Sequence, residues 1–214
     1  MFATIALALF AMVLLFDLGM RAAIQRRRTG NTGIRLPSTR EQCWARATLG
    51  LGVLLPGVAA PIAELLGVPA LAALDQPAIR IAGIVLTLVG VGASAGAQQA
   101  MGPSWRTTVD STERPALVTG GVFRIVRNPI YTAMIIMVVG LTMVVPNAIA
   151  LAGLGMMLVG AQVQVRLIEE PYLRRIHDRA YRDYAAHVGR FLPGIGRLRS
   201  TDIASGAIGF RGGR

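Results

Sequence analysis

With 214 residues, 53% of them hydrophobic and 15% charged, this chain is far from a soluble globular domain, which carries roughly 25% charge. Its net charge of +11 comes entirely from arginine, with no lysine present, and those arginines fall between apolar runs, a distribution that membrane topology explains better than nucleic acid binding. A single cysteine, Cys43, excludes an intrachain disulfide and a cysteine-based metal cluster.

The first apolar run, Phe2 to Met20, has no positive charge ahead of it and no small-x-small cleavage site close behind, so it reads as a retained span rather than a removed signal peptide. Arg21, Arg26, Arg27 and Arg28 follow at once, which places that end in the cytosol and the N-terminus outside. Asp17 lies near the inner end, beside Arg21. A polar linker, Thr29 to Arg46, carries Arg35 and Arg40. The second run, Ala47 to Val68, is interrupted by Pro56 and Pro61 and is expected to kink, with Glu64 near the outer interface. The third, Ile79 to Ala100, has a face of small residues (Gly83, Gly90, Gly92, Ala93, Gly96) that suits close helix packing in lipid. Arg80 is the one arginine that falls on the outer side.

Met101 to Asn128 is too polar to span. Pro129 to Val145 and Ala148 to Ile168 form an expected helical hairpin across a Pro146-Asn147 turn. Glu169 and Glu170 stand where the fifth span leaves the membrane. Arg174 to Arg199 is arginine-rich with a helical pattern, and Thr201 to Arg214 is glycine-rich and expected to be disordered. The expected fold is therefore all-α: a polytopic transmembrane helical bundle of about five spans, with a cytosolic C-terminal site. Residues 1–100 supply N-terminal membrane helices and the basic linker, 101–199 a region built around the hairpin, and 200–214 a tail. This topology puts nearly all the basic clusters against the anionic inner leaflet.

Polar groups at membrane level are where chemistry is expected. The stretch Ala116 to Phe123 contains Gly120-Gly121, which suits either a plain turn or a close backbone approach to a ligand. Asn128-Pro129 reads equally as an N-cap with a helix-starting proline and as an anion or cofactor site at a helix N-terminus, with Tyr131 one turn in. Adjacent carboxylates at Glu169 and Glu170 are costly unless paired or used. Tyr181 and Tyr184 suit interfacial anchoring. His177 and His187 have no metal-ligand spacing with other candidates, so no metal is expected.

In order, a Gly-Val-Phe-Arg-x-Val-Arg-Asn-Pro-x-Tyr element (Gly121 to Tyr131) precedes the hairpin, and Glu-Glu-x-x-Leu (Glu169 to Leu173), Tyr-x-x-Tyr (Tyr181 to Tyr184) and Arg-Phe-Leu-Pro (Arg190 to Pro193) follow it. This set resembles the isoprenylcysteine carboxyl methyltransferase family and its phospholipid methyltransferase relatives, over roughly Met101 to Leu198. The resemblance implies a membrane methyltransferase that uses S-adenosyl-L-methionine on the cytosolic side. By position, it assigns Asn128, Pro129, Ile130 and Tyr131 to the cofactor motif, Phe123 to an upstream aromatic of the same site, and Pro115, Ala116, Leu117 and Val118 to the segment that wraps the cofactor. Glu169 matches the cofactor-binding acid and would hold the cationic amino-acid part, with backbone N–H groups of Leu117 and Val118 receiving its carboxylate.

Arg166, Glu170 and Arg190 form the candidate catalytic set, Arg166 or Arg190 orienting an anionic acceptor. The chain departs from the family at three places: Asn128 stands where histidine is frequent, His177-Asp178 where Phe-Gly is usual, and Val165, beside Arg166, where the substrate arginine is expected. The implied partners are the membrane and a lipophilic or lipid acceptor presenting a carboxylate, amine or thiol, with no nucleic acid and no metal. An NADPH-dependent sterol-type reductase and a non-catalytic membrane protein are the alternative readings.

Overall fold

The computed structural model describes residues 1–30, 32, 36–102 and 116–198. Pro115 and the 200–214 tail lie outside the described residues, as does the side chain of Asp17. Helix α1 (Phe2–Val13) buries Ala3, Ala6, Phe10 and Val13, an i, i+3, i+7 stripe. It continues through a π-helical stretch, Leu14–Met20, into α2 (Arg21–Thr29).

Helix α3 (Arg40–Leu54) begins at Arg40, well before the expected Ala47. A capping arrangement explains the earlier start. Thr39 accepts a hydrogen bond from the Gln42 backbone N–H at 3.3 Å, and the Gln42 side chain reaches back to the Ser38 N–H at 2.8 Å. The chain absorbs Pro56 not by breaking but by widening into a π-helical stretch, Leu55–Ala59, before α4 (Ala60–Leu65). A π turn re-routes the carbonyl that a proline leaves without a donor.

Helix α5 (Pro77–Met101) packs most extensively on α6 (Pro129–Val144). Its glycines explain the closeness. A Cβ on Gly90 would meet the Met137 backbone nitrogen at 2.7 Å, and one on Gly140 would meet that of Thr87 at 2.5 Å. Only part of the expected small face is used, because nothing lies within 4 Å of a Cβ on Gly92 or Gly96. Near the N-terminal end of α5, Arg80 is buried rather than solvated. It pairs with Glu64 at 2.9 Å and Asp75 at 2.8 Å, donates to the Val144 carbonyl at 3.2 Å and lies over the Phe2 ring.

Helix α7 (Ala148–Val163) is capped by Asn147, whose side chain accepts from the Ala150 N–H at 3.0 Å and donates to the Ala60 carbonyl at 3.0 Å. A π-helical stretch, Gln164–Glu169, leads on into α8 (Glu170–His187).

Among the described residues, three helical stretches are long and apolar enough to cross a membrane: Arg40–Leu65, Pro77–Met101 and the apolar first part of Ala148–His187. The other two expected spans are shorter apolar helices, Phe2–Phe16 and Pro129–Val144. With 16 residues, α6 rises about 24 Å, less than the ~30 Å hydrocarbon core. The all-helical bundle stands, with three full-length candidate spans among the described residues. Among the described residues the β structure is limited to isolated bridges, Val126 with Gly189 and Leu192 with Ile195.

Candidate active site

Tyr131 sits one turn into α6, and the π-helical stretch after α7 carries Gln164 and Glu169. In a π turn, residues five apart come together, which an α-helix would separate. Gln164 Nε2 accordingly reaches Glu169 Oε1 at 3.2 Å. Tyr131 donates its hydroxyl to the same oxygen at 2.6 Å. The beginning of the hairpin and its exit therefore meet at one carboxylate.

The two glutamates have opposite surroundings. Glu169 accepts from neutral donors and has no ion-pair partner among the described residues. Glu170, with its side chain 4% exposed, is held by three guanidinium groups. Arg190 grips it through Nε at 2.6 Å and Nη2 at 3.0 Å, Arg127 Nη2 lies at 3.1 Å and Arg174 Nη2 at 3.7 Å. The Glu170 hydrogen bond raises the Arg190 pKa above its ordinary value, so that guanidinium is charged at every accessible pH.

The loop after α8 is laced to the start of α6. Arg127 N–H donates to the Gly189 carbonyl at 2.8 Å, Asn128 N–H to that of Arg190 at 3.1 Å, and Thr132 Oγ1 to that of Phe191 at 2.8 Å. Asn128 occupies the N-cap position of α6 but makes no capping bond; its Nδ2 donates to the Arg190 carbonyl at 3.1 Å instead. Pro129 takes the first helical position, as the sequence indicates, and is buried; Ile130 is half-buried. Phe123 is buried in a short 3₁₀ turn, Gly121–Arg124, and its carbonyl accepts from the Tyr184 hydroxyl at 2.6 Å. Ala116, Leu117 and Val118 are exposed or half-buried and make no hydrogen bond to Tyr131 or Glu169.

On the far side of Arg190 from Glu170, an open groove of about 330 Å³ runs between α6, α7 and the C-terminal loop. Ile135, Ile136, Leu158 and Phe191 give it apolar walls, and Arg166 and Arg190 also line it. Arg166 is exposed and has no carboxylate partner among the described residues. All three candidate catalytic residues thus lie at or next to this groove.

One departure from the family pattern has a structural counterpart. Asp178 interrupts α8 with φ 39° and ψ −111°, a conformation natural to glycine, at the position where the resembled family carries glycine. Its carboxylate is paired with Arg182 on the next turn.

Gln164, Arg127, Thr132 and Tyr184 also build the site: the sequence placed Arg127 and Tyr184 in its motif elements without a site role, and it did not single out Gln164 or Thr132. A usable signal was present in Gln162, Gln164 and Arg166, polar residues inside an apolar run, which by default mark function. Among the described residues no group of three His, Cys, Asp or Glu side chains comes together.

Residues 78–180 match the family model described as phospholipid methyltransferase, a domain of the membrane methyltransferase family that also includes the isoprenylcysteine carboxyl methyltransferases. The match begins within α5 and ends within α8, so it takes in the hairpin and both glutamates. No curated protein matches the chain.

Proposed function

We propose that this protein transfers a methyl group from S-adenosylmethionine to a lipophilic acceptor at the inner end of its bundle. The observation that carries this reading is the asymmetry of the glutamates. Glu170 is saturated by arginines, whereas Glu169 has only neutral donors and is left for a cation. Methyltransferases of this family use S-adenosylmethionine, whose α-ammonium group suits such a carboxylate. The bound cofactor supplies an electrophilic sulfonium methyl group.

The chain's own residues do the rest. Tyr131 and Gln164 fix the Glu169 carboxylate, so little reorganisation accompanies binding. Phe123, Asn128, Pro129 and Ile130 line the approach from the α6 side, and Ala116 to Val118 close over the cofactor. Arg166 orients the acceptor's polar head in the groove, and the apolar walls take its hydrocarbon part and exclude water. Glu170 and Arg190 hold the groove wall in place. Asn128 cannot titrate, which favours an acceptor that reacts without proton removal at that position, such as a carboxylate. The distribution of arginines supports an outside N-terminus and a cytosolic site.

Calorimetry on detergent-purified protein tests the donor assignment. S-adenosylhomocysteine should bind the wild type and bind Glu169→Ala at least about a hundredfold more weakly, the loss of a charge-assisted contact. Unchanged affinity in a folded Glu169→Ala variant would sink the site. Mass spectrometry of lipid extracts incubated with methyl-labelled cofactor then identifies the acceptor.

A further inference from the structure

Three guanidinium groups surround the single carboxylate of Glu170, which leaves two positive charges in excess at one place. Arg127 is the most enclosed of them, its side chain 1% exposed. Its Nη2 is fully engaged, with Glu170 Oε1 at 3.1 Å and the Gly196 carbonyl at 2.8 Å. Its Nε and Nη1 are buried with no partner at all. The Tyr181 ring, 5.9 Å from the guanidinium carbon, has no lone pair in its face to satisfy them. Buried donors are nearly always met, and an N–H of a charged guanidinium makes a strong hydrogen bond to an oxyanion.

We infer that Arg127, with Arg174 and Arg190 around Glu170, forms an oxyanion-binding site, in which an unpartnered nitrogen of Arg127, Nε or Nη1, donates to an oxygen of a carboxylate or phosphate. Glu170 is then the fixed counter-charge that holds the three arginines in register rather than the group that meets the ligand. Entry requires the 194–196 turn to move, because the Gly196 carbonyl sits on Arg127 Nη2. Two sources can supply the oxyanion, the carboxylate of the methyl donor's amino-acid part or the phosphate of a membrane lipid. The first source rests on the function proposed above; the second does not.

The test uses full-length protein in nanodiscs and the variants Arg127→Gln and Arg127→Lys. Glu170 keeps Arg190 and Arg174 in both variants, so both should fold, which thermal melting checks. One arm compares S-adenosylhomocysteine with its decarboxylated analogue. The other compares, by native mass spectrometry, retention of phosphatidylglycerol against phosphatidylcholine.

If the cofactor carboxylate is the occupant, the wild type prefers the intact nucleoside by about tenfold or more, and Arg127→Gln erases that preference. If the occupant is a lipid phosphate, the two nucleosides bind alike, and Arg127→Gln loses the wild type's selective retention of phosphatidylglycerol. Arg127→Lys, charged but without the planar fork, should fall between wild type and Arg127→Gln in whichever arm responds. Wild-type behaviour of Arg127→Gln in both arms overturns the inference. Absence of nucleoside binding by the wild type itself refutes the methyl-donor reading and leaves the lipid arm to decide the oxyanion site.

Discussion

At the scale of single residues, neighbours in the chain have been given unlike tasks. Glu169 and Glu170 differ by one position, yet one faces neutral donors and the other three arginines, because the π-helical stretch ends between them. Asp178 shows the same sensitivity to backbone. A non-glycine residue at φ 39°, ψ −111° costs about 1–3 kcal/mol, whereas its exposed ion pair with Arg182 on the next turn returns only about 0.3–0.5 kcal/mol. Strain outweighs the pair, so Asp178→Gly should stabilise the protein by about 1 kcal/mol and raise its melting temperature in detergent. A fall in melting temperature would show that the conformation is not strained.

Tyr131 and Glu169 could be paired from the sequence because a motif names them. Arg127 could not, because an arginine ahead of a helix looks the same whether it lies in the headgroups or in a buried cluster. Asn128 was legible as a cap by residue type, but the carbonyl of Arg190, far along the chain, took its amide instead.

At the scale of elements, close approach and helix ends decide the architecture. The α5–α6 contact places backbone against backbone at Gly83, Gly90 and Gly140, so a single added methyl group has no room. Gly140→Ala should cost about 1–3 kcal/mol by overpacking. Gly92→Ala, in open space on α5, should be neutral or slightly stabilising through helix propensity. Comparing the melting temperatures of the two variants checks this; equal effects would mean that the helices do not touch at Gly140. The small-residue face of α5 was visible in the sequence, but which of its glycines meet α6 was not, since that depends on the crossing point. The prolines of the second span were legible as disturbances, but their form was not: the helix widens to a π turn and continues. The early start of α3 was written in Ser38, Thr39 and Gln42 and was hidden by the polarity of the linker around them.

At the scale of the whole molecule, the open question is how the bundle sits in its bilayer. Cys43 is exposed on the first turn of α3, on the side to which the arginines assign the cytosol, and it is the only cysteine in the chain. It therefore serves as a native topology probe. A membrane-impermeant thiol reagent should label it in inverted vesicles and leave it unlabelled in intact cells. The reverse pattern would invert the orientation and with it the placement of the site. The lengths of the apolar helices bear on the same question. Among the described residues three are long enough to cross the hydrocarbon and two are shorter, so a crossing by the shorter ones needs either local thinning of the bilayer or flanking residues to complete it.

By itself the sequence determined the helical membrane character of this protein, the side on which its arginines gather, and the two chain positions, around Tyr131 and around Glu169, that carry its family motif. These follow from hydropathy, charge and short-range pattern, which are properties of residues taken in order. Only the tertiary structure decided that Tyr131 and Glu169 share one hydrogen bond, that Glu170 belongs to the arginines of other segments, and that Arg80 is paired and buried rather than solvated. Each of these depends on where a helix widens or crosses another, and a turn of about 100° per residue, changed once by a π stretch, redirects every side chain beyond it.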